Sequence, residues 1–98
     1  MPTCIHLYSE DSDKSVFYHV YREDIIVKID DIFNFSYSFY SSLPENYKKT
    51  FDKFKLKIGK YTVTSTYTEE NEFDGKLRYI FLKPIKEIEE NGDEDIAE

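Results

Sequence analysis

One cysteine, no tryptophan, three glycines and three prolines occur in 98 residues, and each scarcity removes a class of protein. Cys4 alone cannot close an intramolecular disulfide, which fits a reducing compartment, so a cytoplasmic protein is expected. With so little glycine there is no glycine-rich phosphate loop and no nucleophile elbow, and a lone cysteine rules out Cys-x-x-Cys. No run approaches the roughly eighteen apolar residues of a membrane span, and no basic segment followed by an apolar run marks a signal peptide. A membrane partner is not expected.

Basic residues are also in deficit: thirteen Lys and Arg against twenty Asp and Glu give a net charge of −7. The deficit is uneven. From Glu45 to Lys60 six lysines face Glu45 and Asp52, a balance of +4, so the rest of the chain carries −11. What the chain has in quantity is rings, nine Tyr and eight Phe, enough to build a single core in one domain.

The clearest helix signal lies between Ser42 and Lys60. Ser42 with Glu45 reads as a capping box, Pro44 fits a first turn, and Leu43, Tyr47, Phe51 and Phe54 form one apolar stripe. Around it the pattern has period two. Thr3 to Ser9 reads as a strand with Ile5 and Leu7 on one face and Cys4, His6 and Tyr8 on the other. Val16 to Arg22 reads as its hairpin partner, with Val16, Tyr18 and Val20 towards the core and Phe17, His19 and Tyr21 away from it. Ile25 to Ile29 is expected as a short third strand, and Phe33 to Phe39 as a strand in preference to a helix. Lys55 to Thr68 forms a long strand with a bulge or bend near Gly59-Lys60, where the apolar phase slips. Lys76 to Lys83 is the last strand.

The block order reads as α+β: one domain over residues 1–86, a curved antiparallel sheet of about five strands carrying one main helix. Residues 87–98 hold seven acidic side chains and no basic one, and are expected to form a mobile tail.

Candidate chemistry is sparse. If residue 9 paired with residue 16, Cys4, His6 and His19 would share a face, yet no fourth zinc ligand accompanies them, and no metal or cofactor is expected. The carboxylate pairs Glu23-Asp24, Asp30-Asp31 and Glu69-Glu70 fall in turn-like segments, where acidic residues are the ordinary solvated choice. No catalytic constellation emerges, and the chain is read as a non-enzyme.

Two surfaces remain. Tyr8 and Tyr21, with Glu10, Asp11 and Asp13 in one turn and Glu69, Glu70, Glu72 and Asp74 in another, form the expected partner-binding set. In size and acidity the chain is similar to small phage inhibitors that mimic nucleic acid, of the anti-CRISPR and anti-restriction kind, and to bacterial immunity proteins. That likeness is one of composition and rests on no motif. It implies an inhibitor or regulator that occupies the basic, nucleic-acid-binding surface of a partner enzyme. The alternative is a single-strand nucleic-acid binder using the Lys48 to Lys60 patch, with the acidic tail as a built-in competitor. The sequence leaves a dimer open.

Overall fold

The computed structural model describes residues 1–72 and 75–85. Five strands, β1 (Thr3–Tyr8), β2 (Ser15–Tyr21), β3 (Ile32–Phe35), β4 (Gly59–Asn71) and β5 (Gly75–Pro84), form one curled sheet in the order β2-β1-β5-β4-β3. Between β3 and β4 lie α1 (Tyr37–Ser41) and the main helix α2 (Glu45–Lys53). The domain is α+β as expected, but the sheet is mixed. Three of its four pairings are antiparallel and one, β1 with β5, is parallel.

The mixed topology follows from where the chain crosses. After β2 it must travel from one edge of the sheet to the other before β3 can add on, and residues 22–31 make that passage. Thr3, fully buried, pins its start: the Thr3 hydroxyl donates to Glu23 O at 2.7 Å and accepts from Ile25 N at 2.9 Å. Ile25 and Val27 then pack on the core, and Val63 holds the end, accepting from Asp30 N and donating to Asp31 O. Ile25 to Ile29 is therefore no strand. Its alternation records which side chains face the core during the crossing.

The ambiguous aromatic run divides at Ser36. Ile32–Phe35 pairs with β4, and Tyr37 begins a short helix. Ser42 ends that helix instead of capping the next, donating its hydroxyl to Phe39 O, so the expected capping box does not form. Pro44 caps α2, its carbonyl accepting from Tyr47 and Lys48. Leu43 and Phe51 are buried and Tyr47 packs on the core. Phe54 falls at the C-cap and is 39% exposed, which removes it from the expected stripe.

Two register breaks decide which side chains share a face. In the hairpin, Leu7 lies opposite Phe17 but Tyr8 lies opposite Ser15, so Val16 is an extra residue. From Leu7 back to Thr3 the register is one residue away from the expected one: His6 faces Tyr18, and His19 faces Ile5. Phe17, His19 and Tyr21 consequently turn towards α2, while Tyr18 and Val20 turn outward, the reverse of the sequence expectation. Burying the larger rings under the helix removes more apolar area than burying valines would. In β4 the break comes at Val63/Ser65, not at Gly59-Lys60. Gly59, with φ +137, is where the strand begins. Tyr61 and Val63 face the core, Thr64 is the extra residue, and Ser65 and Tyr67 pass to the opposite face.

The core lies on the helix side of the sheet, where Ile5, Leu7, Phe17, Phe35, Phe51, Tyr61, Val63, Ile80 and Leu82 meet. The expected tail begins outside the described residues.

Candidate interaction surface

The side of the sheet away from α2 carries a row of rings assembled from four strands. Tyr18 on β2 stacks on His6 of β1, with centroids 5.3 Å apart, and His6 stacks on Phe81 of β5 at 4.4 Å. Phe81 continues to Tyr67 of β4 at 6.1 Å, and Tyr67 to Tyr79 at 5.1 Å, all with planes within 20° of parallel. The Thr64 bulge is what brings Tyr67 into the row. Tyr8 touches it edge-on through Phe81. Because each inner ring turns its faces to its neighbours, the row offers solvent mainly ring edges and tyrosine hydroxyls. A nucleobase platform needs free ring faces, so this geometry suits a protein surface better. Tyr18 is 58% exposed and Tyr67 45%.

His6 sits in the middle of the row with Nδ1 3.0 Å from Ser15 Oγ, and partial burial lowers its pKa below the usual histidine range. Buried Cys4 shares this face, its thiol pushed up to about 11 by desolvation. His19 is on the opposite face, against Tyr21 and Tyr47, so the three side chains weighed as zinc ligands do not converge. Among the described residues no three His, Cys, Asp or Glu side chains are grouped for a metal.

The expected partner-binding residues do not form one site. Tyr21 is buried, its hydroxyl donating to Phe39 O at 2.9 Å, and burial with the Glu23 charge raises its pKa. It therefore cannot share an exposed face with Tyr8. Glu10, Asp11 and Asp13 lie in the turn after β1, shaped by Ser12, whose hydroxyl donates to Lys14 O and accepts from Lys14 N. Glu69, Glu70 and Glu72 lie at the β4–β5 turn, and Asp74 is outside the described residues. Since β1 runs parallel to β5, with Thr3 beside Arg78 and Leu7 beside Leu82, the two turns sit at opposite ends of the sheet. Ten residues of strand separate their levels, roughly 30 Å.

The β4–β5 end gains residues that the sequence reading left out. Tyr21 pairs with Thr3, so Glu23 and Asp24 come to this same end. Asp24 accepts from Arg78 Nε at 2.8 Å, which holds its carboxyl below the usual range. That is the one ion pair among the described residues, so Glu23, Glu69 and Glu72 have no salt-bridge partner among them. Glu69, opposite Leu77, stands on the ring-bearing face two residues beyond Tyr67. The other ring residues, His6, Tyr18, Tyr67, Tyr79 and Phe81, are visible as alternation in four strands. Only the register shows that they align.

The lysines divide as well. Lys48 Nζ lies 5.7 Å from the Tyr40 ring centroid and Lys53 Nζ 5.9 Å from that of Phe54. Lys55, Lys57 and Lys60 line a groove of about 220 Å³ with Glu10, Leu56, Ile58, Pro84 and Ile85. It lies at the end of the sheet opposite the β4–β5 turn. No described helix is long and apolar enough to cross a membrane. Compared with family models, with curated proteins and with solved structures, the chain finds no match in any of the three.

Proposed function

We propose that this protein is a small non-catalytic inhibitor or regulator that docks on the basic, nucleic-acid-binding surface of a partner enzyme, in the manner of anti-defence or immunity proteins. The observation that carries this reading is the ring row on the helix-free face, which runs into carboxylates at the β4–β5 end that form no salt bridge among the described residues. A surface evolved to hold phosphates presents Lys and Arg in a row. Glu23, Glu69, Glu70 and Glu72 can meet those cations, while Tyr67 and Tyr18 supply apolar contact beside them. The site is thus the β4–β5 end with the ring face. The Glu10 to Asp13 turn, at the far end, is a separate contact at most.

The test is capture of partners from the native host with the full chain and three variants. Reversing Glu69, Glu70 and Glu72 to Lys should lose a nuclease or polymerase that the parent retains, and retention should weaken with salt. Reversing Glu10, Asp11 and Asp13 should have a smaller effect, and reversing Lys48, Lys49 and Lys53 the least. The reading fails if the lysine reversal alone abolishes capture, or if the parent shifts a labelled single-stranded oligonucleotide at physiological salt. That second result would favour the nucleic-acid-binding alternative, whose support is the lysine-lined groove.

A further inference from the structure

The groove walled by Lys55, Lys57 and Lys60 has no role in the docking surface just described, and its lysines form no ion pair among the described residues. Three lysines line one recess, with Glu10 as the one carboxylate residue lining it among the described residues, and that balance calls for an anionic occupant. The recess is not purely polar. Leu56 forms part of the wall, and Ile58, 46% exposed, offers an apolar patch between Lys57 and Lys60. An occupant that fits should carry an apolar side chain flanked by acidic ones.

We propose that the occupant is this chain's own acidic C-terminal segment, Glu87 to Glu98. Pro84 and Ile85, where the described chain ends, are themselves part of the groove wall. The next residues read Lys86-Glu87-Ile88-Glu89-Glu90, one isoleucine set among three carboxylates. The groove segment reads Lys55-Leu56-Lys57-Ile58-Gly59-Lys60, with the opposite charges in the same alternation. Ile88 is three residues past Ile85, within about 10 Å along the chain, so it can reach Ile58 without a long loop. Seven acidic residues follow Lys86 with no basic one between them. A tether this short gives an effective concentration in roughly the millimolar range, so a contact too weak to hold a free peptide still fills the groove. The segment then competes with any other polyanion for the lysines, and its hold weakens as salt screens the charges.

The experiment uses the full chain, labelled with ¹⁵N, and reads the amide shifts of Glu87 to Glu90 against those of a synthetic peptide of residues 86–98. In low salt these amides should stand apart from the peptide's values. Raising sodium chloride to about 0.5 M, where the screening length is only a few ångströms, should move them onto it. The full-chain variant Lys57→Gln/Lys60→Gln should do the same in low salt. Lys55 is left in place so that its left-handed turn, φ +58, is undisturbed. Ile88→Ser should give an intermediate displacement. A tenfold dilution should change nothing, because the contact is within one chain. The proposal is overturned if the parent's tail amides already match the peptide in low salt, or if the lysine variant leaves them unmoved. It is equally overturned if the shifts vanish on dilution, since the groove would then hold the tail of a second copy. Finally, a single-stranded oligothymidylate that binds parent and Glu87→Gln/Glu89→Gln/Glu90→Gln variant with equal affinity would place nucleic acid, not the tail, in the groove.

Discussion

Replacing Phe51 with alanine separates the helix seen in the structure from the one suggested by spacing alone. Phe51 is 2% exposed and lies among Phe35, Phe17 and Tyr40, with ring centroids 5.7, 5.7 and 5.0 Å away. Its removal takes away a large apolar side chain and leaves a cavity bounded by three other rings, each also needed elsewhere in the core. Such a substitution costs about 3–5 kcal/mol. A domain of this size has only about 5–15 kcal/mol in total, and each kcal/mol moves the melting temperature by roughly 4–8 °C. Phe51→Ala should therefore lower the transition by about 12 °C or more, or abolish it. Phe54 is the control. It belongs to the same apparent stripe, but at the C-cap it is 39% exposed and touches Lys53, so Phe54→Ala should cost under about 1 kcal/mol. Thermal and urea melts followed by circular dichroism decide the matter. Equal losses for the two variants, or a Phe51→Ala protein that melts within two or three degrees of the parent, would refute the placement of α2 on the sheet.

Two other expectations follow from buried titratable groups. Burial lowers the pKa of both His6 and His19, so the unfolded chain binds their protons first as pH falls. Their contribution to stability is complete above about pH 6.5 and is lost as pH falls from there through the lower folded values, so ΔG of unfolding measured in urea should decline on acidification. His6→Gln/His19→Gln should flatten that slope, and a slope unchanged by the pair would sink the assignment. Cys4 is buried with its thiol pushed up to about 11, so Ellman's reagent should modify it only at the rate of unfolding, accelerating with urea; complete labelling of the native protein within seconds would contradict its burial.

What could be read in the sequence was local. Period two marked β1, β4 and β5, and the Leu43, Tyr47, Phe51 spacing marked α2, because in each the apolar positions answer to one neighbouring layer. Ile25 to Ile29 and the Phe33 to Phe39 run shared that signature, yet one became a crossing and the other a strand broken at Ser36. Alternation reports burial on one side, which a chain lying on a core also shows, and it does not by itself report a ladder of hydrogen bonds. The faces of β2 differ from the expected ones for another reason. One extra residue at Val16 exchanges the two sides of a strand, and no local residue pattern compels that bulge.

The candidate surface shows the same division with more at stake. Its residue types were legible, since carboxylates in turns and tyrosines on strands are visible in any sequence of this composition. Their arrangement depended on the parallel pairing of β1 with β5, a contact between the first strand and the last. Had those strands run antiparallel, as the all-antiparallel reading required, the Glu10 to Asp13 turn and the β4–β5 turn would have met at one end and made one acidic site with Tyr8. The parallel pairing instead sends them to opposite ends, leaving Glu10 beside Lys55, Lys57 and Lys60 and gathering Glu23 and Asp24 with Glu69, Glu70 and Glu72. The described part of the molecule therefore holds five carboxylates beside Arg78 and Lys76 at one end and the groove lysines beside the Glu10 to Asp13 turn at the other, with the ring row on one face. Glu69 continues the line of Tyr67 on the ring-bearing face, so a partner cation meeting that carboxylate lies beside the ring row and away from the groove lysines.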